Sequence, residues 1–221
     1  MNSTRKIIAH SLLFDGLPPE QLAEIEKLAI KRHVVKGAPI FFEGDPGLGF
    51  YMVASGKVKI FKTSFDGKEQ ILHIFGPGEP FGEVPVFHGT PFPANAEALT
   101  STDLLFFPRT EFINLITATP SLAFNMLAVL ALRLRRFAAQ IENLSLKEVP
   151  GRLASYLFFL MEEQNNQEWV TLDIPKGQLA NLLGATSETL SRIFNKMYEE
   201  GLIRVEGKTI FVLDHQRLRD R

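Results

Sequence analysis

Between residues 33 and 107 the chain never runs far without a turn residue, and this punctuation constrains the fold more than any other feature. Short runs rich in β-branched and aromatic residues (40–42, 50–53, 58–61, 71–75 and 104–107) are separated by Gly37, by the Gly-Asp-Pro-Gly stretch at 44–47, by Ser55 and Gly56, by Asp66 and Gly67, and by the Gly-Pro-Gly stretch at 76–78. Runs of this length are too short for helices. Many short strands with regularly spaced turns predict an antiparallel roll or barrel, and Asp66-Gly67 marks a hairpin.

On either side the periodicity is helical. Residues 18–29 open on two prolines and carry Leu22, Ile25 and Leu28 at helical spacing. Near residue 110 the texture changes again, and Thr119-Pro120-Ser121 reads as a cap with Pro at the first helical position. The helix it starts extends to about residue 144. Ala123, Leu127, Leu130, Leu134, Phe137, Ile141 and Leu144 follow in alternating steps of four and three, a heptad seam. Leu122, Met126, Val129 and Leu132 form a second apolar set on another face. One face would pack on the roll and the other on a second copy of the helix. Burial within one chain is the alternative, but the seam continues into the charged stretch after Leu132, which favours pairing. The expected dimer interface is therefore Leu127, Leu130, Leu134, Phe137, Ile141 and Leu144. Residues 146–151, with Pro150, form the expected hinge into a further helix from 151 to about 163.

The remainder reads as a compact helical region closed by a hairpin, with strands at 202–205 and 209–213 and a turn at Glu206-Gly207-Lys208. Within it, Leu179, Ala180 and Leu183 give a first helix an apolar side, Gly184 suits the left-handed residue that ends a helix, and Thr186 caps a second helix. Leu190, Ile193, Phe194 and Met197 form the inner face of that helix. Ser187, Glu188, Ser191, Arg192, Asn195 and Lys196 form its outer face, with spacing that puts them on one side. Short polar groups and one Arg near a helix N-terminus suit entry into a major groove. A solvated amphipathic pair is the alternative, disfavoured by the Gly turn, the small Ala and the hairpin that follows. From residue 149 onward there are 9 Lys+Arg against 10 Asp+Glu, so affinity for DNA must rest on a few placed cations, Lys176, Arg192, Lys196 and Lys208, doubled in a dimer.

The 221 residues contain no Cys and have a formal net charge of -1. Disulfides, thiolate zinc, cysteine-bound iron–sulfur clusters and thiol switching are excluded together. No stretch reaches the roughly 20 apolar residues of a membrane span, no signal peptide is expected, and the absent cysteines fit a cytoplasmic location.

With these motifs in place, the sequence resembles the Crp–Fnr family of bacterial transcription regulators over nearly its whole length. The resemblance rests on Lys36-Gly37 followed by Ile40-Phe41-Phe42-Glu43-Gly44-Asp45, on Phe50-Tyr51, Val53, Ser55-Gly56, Val58 and Ile60, and on Glu188-Thr189-Leu190-Ser191-Arg192. It implies an α+β chain: an N-terminal antiparallel, jelly-roll-like β-roll that senses an effector (1–118), a long dimerisation helix with its hinge (119–147), and a C-terminal winged helix–turn–helix that binds DNA (148–221). It also implies a homodimer that acts on double-stranded DNA together with RNA polymerase. The Glu-x-x-Ser-Arg pattern looks like the Fnr-type reader of an inverted repeat of TTGA-like half-sites. The stereochemistry agrees: Arg192 can pair with guanine O6 and N7, Glu188 can accept from cytosine N4, and Ser191 can reach a neighbouring edge.

In cyclic-nucleotide-binding members a Gly-Glu pair and an Arg about ten residues later hold the ligand. This chain has Phe81-Gly82-Glu83, but Phe92 stands where the Arg is expected, and Arg109 is the next cation along the sequence. A buried phosphate without a cationic partner is costly, so cyclic AMP is not expected. Phe81, Gly82, Glu83, Phe87 and Phe92 outline the expected effector pocket. The cysteine-free Fnr-like members include heme-dependent nitric-oxide responders, which implies heme as one effector, with His10, His33, His73 or His88 as axial ligand. A small organic effector is the alternative. A cupin-like enzyme needs clustered histidines with a carboxylate, and none are grouped in the sequence, so no enzymatic activity is expected. A ligand-binding module acting on a protein partner is the remaining competitor, disfavoured by the wing and the polar recognition face.

Overall fold

The computed structural model describes residues 3–221. The chain divides into two compact units, 1–134 and 135–221. In chain order the first unit carries α1 (Ser3–Ala9), a 3-10 turn (Leu12–Phe14), α2 (Pro19–Leu28), β1 (Ile30–Val34), β2 (Pro39–Phe41), β3 (Gly49–Ser55), β4 (Val58–Thr63), β5 (Glu69–Phe75), β6 (Pro80–Phe81), α3 (Val84–His88), β7 (Asn95–Ala98), β8 (Thr102–Pro108), α4 (Arg109–Ala118) and the start of α5 (Pro120–Leu146). The strands form two antiparallel four-stranded sheets, ordered β1-β8-β3-β6 and β2-β7-β4-β5.

Strand alternation gives the first sheet two cores. On β3 and β8, Tyr51, Val53, Leu104 and Phe106 point into the roll, where they meet Phe81 of the adjacent β6 and Phe41, Val58, Phe75 and Phe92 of the opposing side. The intervening Phe50, Met52, Leu105 and Phe107 point the other way, against Ile8, Phe14, Ile25, Phe112, Leu122 and Met126 of the helices. This answers why so short a segment needs so many Phe: a sheet buried on both faces has no solvent side. The Asp66-Gly67 hairpin is present between β4 and β5, with Gly67 at φ 79 and its N–H donating to the Ser64 carbonyl at 3.0 Å.

Helix α5 extends two residues beyond the expected end, to Leu146. Its second apolar set divides: Leu122 and Met126 are buried in the helical core, whereas Leu132 is 41% exposed. Five of the seam residues lie open in the single chain, with Leu127, Leu134 and Ile141 each more than 60% exposed, whereas Ala123 and Leu144 are half-buried.

The second unit continues α5 and adds α6 (Val149–Glu163), β9 (Trp169–Thr171), α7 (Lys176–Leu182), α8 (Ser187–Glu199), β10 (Ile203–Glu206), β11 (Thr209–Val212) and α9 (His215–Arg219). The hairpin is tighter than the sequence suggests. Glu206 pairs with Thr209, which leaves a two-residue turn with Gly207 at φ 62. A third strand, β9, which the sequence reading did not assign, pairs with β11.

Candidate DNA interface and effector site

The helix–turn–helix forms as its residues dictate. Leu179 and Ala180 are fully buried, and the absence of a large side chain at Ala180 permits the close crossing of α7 and α8. Gly184 takes φ 64 after α7, and the Thr186 hydroxyl accepts the Thr189 N–H at 3.1 Å, capping α8. Leu190, Phe194 and Met197 are buried and Ile193 is half-buried. Ser187, Glu188, Ser191, Arg192, Asn195 and Lys196 are all exposed on the opposite face. Among the described residues Glu188 and Arg192 form no ion pair. Arg192 makes one long contact, from Nη2 to Thr189 Oγ1 at 3.5 Å. An unpaired guanidinium and an unpaired carboxylate one turn apart can each be satisfied by a base edge. Lys176 lies with Nζ 4.9 Å from the centre of the Phe194 ring, and Lys208 stands exposed in the wing turn. Arg204 on β10 was not anticipated: its guanidinium lies over Phe211 and pairs with Glu206 at 2.9 Å, so its charge is already partnered.

In the roll, Phe81 and Phe92 are buried, and Phe92 stacks face to face on Phe41 with ring centres 3.7 Å apart. A side-chain carbon on Gly82 would come within 3.2 Å of both rings. The stack therefore sits directly over the Gly-Glu turn. Phe87 does not join this cluster. It lies on the outer side of α3 at 46% exposure, because Pro85 and Val86 occupy the inward positions of that single helical turn.

Glu83 does have a cationic partner, contributed by α5. Arg133 Nη1 donates to Glu83 Oε1 at 2.6 Å, both side chains less than 20% exposed. The same guanidinium donates to the Pro80 carbonyl and lies 5.1 Å from the Phe75 ring centre. No local pattern announces it: Glu83 and Arg133 stand 50 positions apart on different elements, and Arg133 lies two helical turns beyond the buried Met126 on the face α5 turns toward the roll. Arg109, the nearest cation along the chain, instead donates to the Val86 carbonyl at 2.9 Å and supports α3.

The four histidines of the first unit, His10, His33, His73 and His88, form no metal-ligand cluster among the described residues. His33 has both ring nitrogens engaged, Nδ1 with Asp103 at 2.7 Å and Nε2 with Ser101 at 3.3 Å, on an exposed surface. His10 Nδ1 contacts the Lys6 carbonyl, His88 Nδ1 contacts Thr90, and His73 meets the edge of Phe75. No three His, Asp or Glu residues group as metal ligands among the described residues. With aromatic rings filling the roll interior, these residues do not outline an enclosed heme pocket.

The comparisons agree with this geometry. Residues 31–119 match the cyclic nucleotide-binding domain, and residues 151–221 match the Crp-like helix-turn-helix domain. The chain is 34% identical over 220 residues to the CRP-like cAMP-activated global transcriptional regulator of Mycobacterium tuberculosis, covering 98% of both chains. It belongs to the Crp–Fnr family. Another member, the cyclic AMP receptor protein of Thermus thermophilus, is 37% identical over 202 residues, 91% of this chain and 92% of that one. Among solved Crp–Fnr structures, FixK2 from Bradyrhizobium japonicum superposes with a TM-score of 0.77 at 25% identity, covering 87% of this chain and 96% of that one. The Thermus thermophilus catabolite activator protein gives 0.56 at 36% identity, covering 95% and 97%. The chain is thus a Crp-like DNA-binding transcriptional regulator with a cyclic nucleotide-binding-type domain, and its relatives are regulators rather than enzymes. No single helix is long and apolar enough to cross a membrane among the described residues.

Proposed function

We propose that this protein is a homodimeric, cytoplasmic transcription regulator that recruits or blocks RNA polymerase by reading an inverted repeat of TTGA-like half-sites. The observation that carries this reading is the α8 face, where Glu188, Ser191 and Arg192 stand exposed opposite a buried Leu190, Phe194 and Met197, with Glu188 and Arg192 in no ion pair among the described residues. Lys176, Ser187, Asn195, Lys196 and Lys208 supply positioning contacts to phosphates and neighbouring edges. The dimer forms through the open seam of α5, at Leu127, Leu130, Leu134, Phe137, Ile141 and Leu144, which places two copies of α8 about one helical turn of DNA apart. The test is a mobility shift on an inverted TTGA repeat. Wild-type protein should retard it in preference to a scrambled duplex, and Arg192→Ala should abolish that preference. Equal binding of Arg192→Ala and wild type would refute the assignment.

The effector acts in the roll, next to the Gly82-Glu83 turn. The Mycobacterium tuberculosis relative is called cAMP-activated and the Thermus thermophilus one a cyclic AMP receptor protein, but Phe92 stands where the family resemblance expects the phosphate-pairing Arg, and the Arg133 cation is already neutralised by Glu83. We therefore propose an effector other than cyclic AMP, a small organic molecule that engages the Glu83–Arg133 pair beside the Phe41–Phe92 stack. Since Arg133 belongs to α5, a ligand that alters this pair changes how the seam helices cross, a population shift between DNA-competent and incompetent states. Heme was the other effector suggested by the family resemblance. It is tested by the absorbance spectrum of protein purified after heme supplementation: a Soret band lost on substitution of one of the four histidines would favour heme over the organic effector.

A further inference from the structure

One side chain ties together three elements of the second unit, and neither the sequence motifs nor the family matches assign it a role. Arg152 lies in the first turn of α6, half-buried. Its Nη2 donates to the Leu144 carbonyl and its Nε to the Lys147 carbonyl, both at 2.9 Å, at the end of α5. Its Nη1 donates to the Leu183 carbonyl, also at 2.9 Å, at the end of α7. The last carbonyls of a helix have no partner within the helix. A planar guanidinium carries five N–H donors in a rigid fork, which a lysine ammonium cannot reproduce. One fork here satisfies orphan carbonyls at the ends of two different helices, and its charge complements the negative end of each dipole.

The opposite side of the same turn is also fixed. A side-chain carbon on Gly151 would fall 2.7 Å from the carbonyl oxygen of Arg221, so the Arg221 backbone lies against α6 where only glycine fits. Arg221 in turn pairs with Glu200, the C-cap of α8. The first turn of α6 thus references both the turn before the recognition helix and the far end of that helix, and Arg152 connects this assembly to the end of α5.

We propose that Arg152 is a positioning residue for DNA recognition: its fork transmits the direction of the end of α5 to the α7–α8 turn and so holds α8 at the angle that fits the groove. This rests on the dimeric DNA-binding reading above. Because the chain has no Cys, Glu199→Cys, at the exposed end of α8, allows one nitroxide label per chain, and pulsed dipolar spectroscopy then reads the separation of the two recognition helices. Arg152→Gln removes the fork and its charge, whereas Arg152→Lys keeps the charge without the fork. Both variants should broaden the inter-label distribution and weaken binding to the TTGA repeat about tenfold. The slope of affinity against salt should stay unchanged, because Arg152 neutralises no phosphate. If Arg152→Gln fails to fold, Arg152→Lys carries the test alone. An unchanged distribution with affinity within twofold of wild type would overturn the proposal, as would a salt slope shallower by about one, which would make Arg152 a phosphate contact. Wild-type protein that gives no dipolar signal, or that ignores the repeat, would instead overturn the dimeric DNA-binding reading.

Discussion

Two polar clusters on the roll show how single residues hold it. Lys59 on β4 is only 2% exposed and sits between Glu69 of β5 at 2.6 Å and Glu97 of β7 at 3.4 Å, joining three strands of one sheet. Its ammonium is buried while the carboxylates keep some solvent, so the two partners are not equivalent. Replacing both carboxylates with Glu69→Gln and Glu97→Gln strands a buried charge and should cost about 3–5 kcal/mol in urea unfolding. Lys59→Met removes that charge and should cost clearly less. The second cluster, on the exposed edge, links Asp103 to His33 and to Ser55, whose hydroxyl donates at 2.9 Å. The hydrogen bond from His33 holds the Asp103 carboxyl below its ordinary range, with Ser55 adding to the effect. A lowered folded-state value means that the contribution is present above the unfolded carboxylate range and is lost as pH falls through the folded value, below about pH 4. Carbon-detected NMR titration should therefore move the Asp103 midpoint upward in His33→Ala, and an unmoved midpoint would contradict the account.

At the scale of elements, the seam of α5 is the clearest prediction. Leu134 is 71% exposed and Ile141 65% in the single chain, on a helix whose other face is anchored by Leu122 and Met126. Placing charges at both positions, Leu134→Glu with Ile141→Glu, should turn a dimer into a monomer in sedimentation velocity while leaving the melting of the roll little changed. A dimer that survives both charges would show that pairing uses another surface. The same helix shows which parts of the fold the sequence discloses. Its seam, the Gly184 turn, the Thr186 cap and the wing were legible because each depends on local spacing or on one residue's conformational preference. Strands β1, β6, β7 and β9 were not, since segments such as Asn95–Ala98 and Trp169–Thr171 take their extended form from their neighbours rather than from their composition. The Glu83–Arg133 pair and the Arg152 fork were hidden for a related reason: they join residues 50 and 31 positions apart, and only the packed chain brings such partners together. Phe87 is the opposite case, grouped with Phe81 and Phe92 by sequence proximity and separated from them by one turn of α3.

For the whole molecule, the net charge of -1 and the balance of 9 basic to 10 acidic residues beyond residue 149 mean that no broad cationic field draws this protein to DNA. On the proposed dimeric reading, binding then depends on geometry: two recognition helices at a fixed separation, each presenting the exposed Arg192 and Glu188 to base edges. With few placed cations available on the proposed DNA face, affinity should fall less steeply with salt than for a strongly basic regulator, and specificity should depend on the spacing of the half-sites. The most direct measurement is sedimentation equilibrium of the protein with a labelled inverted-repeat TTGA duplex, performed with half-sites at the proposed one-turn spacing and again with five base pairs inserted. The account predicts two chains per duplex at the first spacing and loss of that complex at the second, because half a helical turn rotates one site away from its reader. One chain per duplex, or equal binding at both spacings, would contradict it.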